Sequence, residues 1–388
     1  MAADSERQTR NFAALSGTNL DVVVCGSATA VLLFSGYWPV MAASLVVLTA
    51  GGELSLIVPK DELELAKNTS TARLIPYEPA GLHTLDPPLQ RLDDPLRRVL
   101  KALIGSGARV GVQLAEGMQP VSYVAGTQFR CALPNLLEEL FPNAGIVSCD
   151  DLIQSLGPVK TSIELKQMQR SCEVAAVGFA QAEACIRPGL REAEIAANVN
   201  AAFASAPLAG GLERSYGFFF CMSGPNSAKA AGAYARTRQR VVEEGDLVMI
   251  HANTCADGYW TDITRTYTAG AASAKQKEMR VAIAEARLAA LSSIKPGAKA
   301  DAVDHAARSV MKAHGFGEAF KHATGHGVGF AAADPNERPR IHPSSPDVLE
   351  VGMTFNVEPA AYFDGYGGMR HCDLVAVTAD GAHVLTEF

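Results

Sequence analysis

The chain has 388 residues, of which 48% are hydrophobic and 19% charged, a composition that excludes an intrinsically disordered protein. The formal net charge is −7, and without a basic stretch the sequence argues against nucleic acid or a membrane surface as the partner, which favours a small-molecule substrate. The eight cysteines form no CxxC pair and the polar first ten residues lack the apolar core of a signal peptide, so we expect a reduced, cytoplasmic protein.

The first 157 residues alternate strand-like and helix-like segments, as is typical of an α/β domain. Strands are predicted at 21–25, 30–34, 43–48, 54–58 and 109–114, and a helix at 87–104. An apolar run at 29–50 is long enough to span a membrane, but Ser35, Gly36 and Pro39 interrupt it. We therefore interpret this run as two buried strands around a turn.

A domain boundary is predicted at Gly157-Pro158, which divides the chain into domains 1–157 and 158–388. The segment 162–184 has helical periodicity and opens the second domain. Ile-Arg-Pro-Gly at 186–189 and Ile-Lys-Pro-Gly at 294–297 lie 108 residues apart, and a helix-like segment follows each. This repeat predicts a duplicated α/β half. Two halves related by a pseudo-twofold axis would enclose a site between them.

The second domain concentrates His, Asp, Glu and Cys in four strand-like segments. These are the hairpin 245–270 with His251 and Asp262, the segment 322–329 with His322 and His326, Glu358 before Pro359, and the run 367–373 with Arg370 and Cys372. Each has an ordinary structural interpretation, such as a core histidine or a small buried thiol. However, polar groups inside apolar strands are costly unless they are paired or bind a metal. Four such segments together predict one convergent polar site.

The order of these motifs is specific. GD followed by DITRT, then HATGHGVG, NVEP and GGMR, closely resembles the pita-bread hydrolases, which include prolidase, aminopeptidase P and creatinase. The segments FSGYWP, VKTSIELKQMQRSCEVAAVGF and SGPNSA extend the resemblance over nearly the whole chain. It implies a fold of the α/β (α+β) class, with a creatinase-like N-terminal α/β domain and a C-terminal pita-bread domain with internal pseudo-twofold duplication. It also implies a homodimer.

The resemblance implies a set of metal-ligand positions. The family's two-metal members use Asp, Asp, His, Glu and Glu, and the matching positions here are His251, Asp262, His326, Glu358 and Cys372. His251 and Cys372 depart from the pattern, so fewer anionic ligands remain and a two-manganese centre is expected to be weakened. One divalent ion (zinc, iron or manganese) on the remaining ligands stays open, and so does a metal-free site of the creatinase type.

The leading functional hypothesis is a hydrolase that cleaves a C–N bond in a small non-peptide or modified amino-acid substrate. Glu358 is the expected general acid or base. Tyr234, which stands where the family has a substrate-binding histidine, is expected to act with His322 and Arg370 on the substrate, and Arg370 suits a carboxylate. The alternatives are a metal-dependent Xaa-Pro aminopeptidase or dipeptidase, and a catalytically inactive binding module of the same fold.

Overall fold

The computed structural model describes residues 4–40, 43–79, 88–101, 104–105, 107–114, 132–208, 212–232, 236–332 and 338–388. The chain divides into two compact units, Met1–Gly157 and Pro158–Phe388. No helix in the described ranges combines the length and hydrophobicity that a membrane span requires.

The first unit is built on a mixed six-stranded sheet of order β4-β3-β2-β1-β5-β6. The strands are β1 (Val22–Cys25), β2 (Leu45–Thr49), β3 (Leu54–Pro59), β4 (Arg73–Tyr77), β5 (Arg109–Val112) and β6 (Gly145–Ser148). The helices are α1 (Ser5–Ser16), α2 (Ala28–Ser35), α3 (Leu63–Thr69), α4 (Asp93–Leu100), α5 (Ala132–Leu140) and α6 (Asp150–Leu156). In the sheet, β1 runs parallel to β5 and antiparallel to β2.

Two sequence predictions in this unit need correction. The segment 30–34 is not a strand but lies in α2, because the Ser27 side chain accepts a hydrogen bond from the Ala30 N–H and Gly36, with φ +74°, closes the helix. In its described residues, the apolar run 29–50 therefore contains the buried helix α2 and the strand β2. Of the helix predicted at 87–104, residues 87, 102 and 103 lie outside the described residues; within the rest, the α-helix covers Asp93–Leu100 and follows a 3₁₀ turn at Pro88–Leu92.

The second unit contains four α-helices in its described residues, α7 (Ser162–Cys185), α8 (Glu192–Ala204), α9 (Ala274–Ser293) and α10 (Ala300–Ala313). Its strands are β7 (Ser215–Ser223), β8 (Leu247–Ala256), β9 (Tyr259–Thr268), β10 (Thr354–Val357), β11 (Ala360–Phe363), β12 (Gly367–Arg370), β13 (Asp373–Thr378) and β14 (Gly381–Val384). They form antiparallel sheets of order β7-β8-β9, β10-β13-β14 and β11-β12.

The predicted duplication is visible in the backbone hydrogen bonds of the two Pro-Gly turns. Gly189 and Gly297 both have positive φ, 90° and 82°, which glycine adopts without strain. The Gly189 N–H donates to the Val242 carbonyl at 2.9 Å, and the Gly297 N–H donates to the Leu349 carbonyl at 2.8 Å. Each half thus repeats the order helix, Pro-Gly turn, helix. Phe179 and Phe219 pack in the core of the first half, and Met279 and Phe355 in that of the second.

The β8–β9 hairpin sets which side chains share a face. It lies within the hairpin predicted at 245–270, and its turn is Asp257-Gly258, with φ values of 47° and 93°. Asn253 pairs with Asp262 across the hairpin, and the next pair on the same face, since side chains alternate along a strand, is His251 with Thr264. The register therefore gathers these four polar side chains on one side of the sheet.

Asp373 anchors the C-terminal strands through a group of ion pairs and hydrogen bonds to its carboxylate. Its side chain is fully buried at the start of β13. Arg265 donates to Oδ1 at 2.8 Å, Arg287 also pairs with the carboxylate, and Nε2 of His371 lies 3.3 Å from Oδ2. The Thr386 hydroxyl donates to Oδ1 at 2.8 Å. Burial alone would raise the pKa of Asp373, but His371 and the two arginines outweigh it and hold this pKa well below its usual range.

Candidate active site

The structure brings six of the predicted site residues together, among them His251 on β8, whose Nδ1 lies 3.7 Å from Asp262 Oδ1. Asp262 projects from β9, His326 comes from the loop after α10, Glu358 follows β10, Arg370 ends β12 and Cys372 precedes β13. Asp262 Oδ2 lies 3.5 Å from His326 Nε2, Arg370 Nη1 lies 3.6 Å from Glu358 Oε2, and Cys372 Sγ lies 3.9 Å from Asp262 Oδ1. His251 and Asp262 come from the first half of the duplication, which precedes α9, and the other four residues come from the second half.

Asp262 and His326 form an ion pair that Asn356 orients. The His326 backbone N–H donates to Asn356 Oδ1 at 2.7 Å, and Nδ1 of the ring donates to the Gly327 carbonyl at 3.0 Å, which turns Nε2 towards Asp262. Burial lowers the pKa of His326, but its hydrogen bond to Asp262 and the charges of Asp262 and Glu358 outweigh burial and raise this pKa to about 9. His326 is therefore protonated on both ring nitrogens, and so cationic, at neutral pH.

His251 has both ring nitrogens engaged by the protein. Nδ1 lies 2.9 Å from Arg370 Nη2 and 3.0 Å from the Thr264 hydroxyl, and Nε2 lies 3.1 Å from Asn253 Oδ1. A guanidinium group only donates hydrogen bonds, so Nδ1 is the unprotonated acceptor and the ring proton lies on Nε2. Burial, together with the charges of Arg370 and His326, lowers the pKa of His251 to about 4 against the opposing effect of Asp262. His251 is therefore neutral.

Cys372 is a buried thiol rather than an exposed nucleophile. Its side chain is fully buried, and Sγ donates to the Asp262 backbone carbonyl at 3.2 Å. Burial, followed by the charges of Asp262 and Glu358, raises the pKa of Cys372 well above its usual value. In this arrangement Cys372 is a neutral thiol.

His322 lies beside the cluster on a separate hydrogen bond. Its Nδ1 donates to the Ala323 carbonyl at 2.7 Å, and its Nε2 lies 2.9 Å from the Tyr362 hydroxyl. Burial lowers the pKa of His322. Tyr234, the other predicted substrate-binding residue, lies outside the described residues.

The donor set does not fit a two-ion metal centre. Among the described residues, no three His, Cys, Asp or Glu side chains are placed so that they could hold one ion. Asp262 and His326 Nε2 face each other as two ligands of one ion would. His251, however, has no free nitrogen lone pair, and the Cys372 thiol donates to the backbone carbonyl of Asp262. The metal-ligand roles of the five matching positions therefore stay a prediction.

Three polar residues of the cluster were not predicted from the sequence. Asn253, Thr264 and Asn356 orient His251, Arg370 and His326, respectively. The spacing of the two asparagines in the sequence could have identified them. Asn253 lies two residues after His251 and Asn356 two residues before Glu358, and residues i and i+2 share one face of a strand.

Cys372 is expected to react slowly with iodoacetamide in the native protein, because a buried neutral thiol is a poor nucleophile. The measurement is peptide mapping of labelled Cys372 with and without a chelator. We expect the same low rate in both samples and full labelling in urea. Rapid labelling that appears only after chelation would instead indicate a thiolate that had been bound to a metal.

The comparisons with known proteins agree on one family. The model of metallopeptidase family M24 matches residues 166–379. The chain is 29% identical over 384 residues to the Xaa-Pro dipeptidase of Pyrococcus furiosus, covering 98% of both chains. It is 31% identical over 338 residues to the probable dipeptidase PepE of Mycobacterium tuberculosis, covering 87% of this chain and 81% of that one. Among solved structures, the prolidase of Pyrococcus horikoshii matches with a TM-score of 0.78 at 27% identity, covering 99% of this chain and 98% of that one. These matches confirm the predicted fold class and family resemblance.

Proposed function

Since this chain belongs to metallopeptidase family M24 and is a hydrolase of that family, we propose that it cleaves the C–N bond of a dipeptide-sized substrate with a free carboxylate. The sequence favoured a non-peptide substrate. The relatives that match most of the chain are named Xaa-Pro dipeptidase or dipeptidase, and these names favour a dipeptide instead. The observation that carries the proposal is the single cluster formed by Asp262, His326, Glu358 and Arg370.

The proposed reaction uses a carboxylate and a protonated histidine as base and acid. Glu358 takes a proton from water, and the water oxygen forms a bond to the carbonyl carbon of the substrate. The C–N bond breaks, and His326, which holds its proton next to Asp262, donates that proton to the leaving nitrogen. The family's description implies a divalent metal in general, but the donors present do not fit the two-ion centre, so this reaction relies on the chain's own groups.

Arg370 is proposed to bind the substrate carboxylate. Thr264 and His251 engage Nε and Nη2, and Nη1, which faces Glu358, is the nitrogen that can donate a charge-assisted hydrogen bond to a substrate carboxylate oxygen. Although burial opposes it, the charges of Tyr362, Glu358 and Asp262 raise the pKa of Arg370, so this side chain stays cationic. We propose that His322 and Tyr234 complete the substrate contacts.

A second candidate is hydrolysis of a small non-peptide amide. The specific observation in its favour is that two of the five ligand positions hold His251 and Cys372, whose donors are used within the protein. This change removes the centre that a two-metal peptidase requires while leaving Glu358 and His326 in place.

The proposal is tested with a panel of dipeptides, with and without proline at the second position, and the matching dipeptide amides. Dipeptides are expected to be cleaved, and the amides are expected to lose at least about tenfold in kcat/KM because a charge-assisted hydrogen bond to Arg370 is lost. The assay measures released amine by mass spectrometry.

Each sample is also run with a chelator and with added Mn²⁺, and its metal content is measured. Cleavage should persist in the chelator. Turnover of only non-peptide amides would favour the second candidate, whereas absence of any turnover would favour a binding module. Activity that is lost in the chelator and returns with added metal, whether one or two ions per chain, would overturn the proposed acid–base route.

A further inference from the structure

Arg370 is fixed by contacts along two neighbouring strands. Its backbone N–H donates to the Thr266 hydroxyl at 3.0 Å, and its Nε donates to the Thr264 hydroxyl at 3.0 Å. Its Nη2 donates to His251 Nδ1 at 2.9 Å, which leaves Nη1 as the edge that faces Glu358 at 3.6 Å. The direction of the guanidinium therefore depends on what acceptor stands at position 251.

His251 can accept this hydrogen bond in only one tautomer. If its proton were on Nδ1, two donors would face each other across 2.9 Å, and Asn253 Oδ1 would lie against an unprotonated Nε2 with no hydrogen between them. With the proton on Nε2, both contacts are satisfied at once. Asn253 is buried on the same face of β8 and thus selects the tautomer that Arg370 needs.

We infer that His251 is a positioning residue, oriented by Asn253, which holds the Arg370 guanidinium against Glu358 and does not ligate a metal. At this position of the chain, a hydrogen-bond relay from Asn253 through His251 to Arg370 takes the place of a metal ligand. The inference deepens the proposed function and rests on it only in so far as Arg370 binds the substrate.

The tautomer is measured directly, without any substrate. In protein labelled with ¹⁵N-histidine, long-range ¹H–¹⁵N spectra distinguish the two neutral tautomers, and the His251→Leu spectrum assigns the signal. We expect the pattern of a ring protonated at Nε2, unchanged when Zn²⁺ is added. An Nδ1–H pattern, or a shift of the His251 nitrogens on addition of Zn²⁺, would overturn the inference whether or not the protein cleaves dipeptides.

Two matched substitutions separate the relay from a packing role. His251→Asn keeps an acceptor near the position of Nδ1, whereas His251→Leu fills similar space without one. With the best dipeptide of the panel, His251→Leu should raise KM by about tenfold or more, because a hydrogen bond to a charged group is lost, and kcat should change less. His251→Asn should stay within about threefold of the parent KM. Equal increases in KM for the two variants would show that the size of the side chain, and not its hydrogen-bond acceptor, is what matters. This result would contradict the relay.

Discussion

Glu358→Gln is expected to lower kcat by roughly 10² to 10⁴-fold, the usual contribution of a general acid or base. The amide has nearly the shape of the carboxylate but cannot take a proton from water. Glu358 follows β10, and its backbone N–H donates to the Thr324 carbonyl at 2.8 Å, so the side-chain change leaves the backbone anchor intact. The substrate should still bind, because the proposed carboxylate contact is to Arg370. KM is therefore expected to change much less than kcat.

The matched control for this prediction is Glu350→Gln, the same change on an exposed glutamate eight positions earlier. It should leave kcat and KM unchanged. Steady-state kinetics on the best substrate provide the measurement, with circular dichroism as a check of the fold. Retention of more than a tenth of the parent kcat by Glu358→Gln would show that another group activates the water.

Asp373→Asn is expected to lower the free energy of unfolding of the second unit by about 3–5 kcal/mol. The carboxylate is fully buried, and its removal leaves Arg265 and Arg287 without their anionic partner. The chain has two tryptophans, of which Trp260 alone lies in the second unit. Urea unfolding followed by fluorescence in a Trp38→Phe background therefore reports on this unit.

The same substitution predicts a pH dependence. The pKa of Asp373 is lower in the folded protein than the value of about 3.9 in an unfolded chain. The ionised Asp373 side chain therefore makes its full contribution to the free energy of unfolding above about pH 4. It is lost as the pH falls further towards the folded-state pKa. The stability difference between the parent and Asp373→Asn should shrink over that range. Asp380→Asn, on an exposed residue, is the control and should change stability by less than about 0.5 kcal/mol. An equal effect of both changes would contradict the buried-anchor explanation.

The fold was predictable from the sequence where several signals agreed. The helices after the two Pro-Gly turns and the β8–β9 hairpin combine periodicity with turn residues, and the structure confirms them. The error at 30–34 has a physical cause. A short, wholly apolar segment has no periodicity that separates a buried strand from a buried helix. The deciding contacts were the cap at Ser27 and the left-handed Gly36, which are local and easily overlooked.

The sequence was sufficient to predict which residues form the site but not their protonation states. Motif order identified Asp262, His326, Glu358 and Arg370 as neighbours, and the structure places them together. The state of His251 could not be read from the sequence, because it depends on which donor meets which nitrogen. These contacts depend on the register of β8 and β9 and on Arg370 at the end of β12, which is distant from His251 in the chain.

The division of the cluster between the two halves has a consequence for the order of folding. Arg370 lies 119 residues after His251, and Cys372 lies 110 residues after Asp262. A nascent chain that ends after β9 already contains Asp262 but none of the cations that pair with it from the second half. Because an unpaired buried carboxylate is costly, that face of the hairpin must stay hydrated until the second half docks. Such long-range closure is slow, since loop entropy is lost before the contacts form. The two repeats are therefore expected to fold as one cooperative unit rather than one after the other.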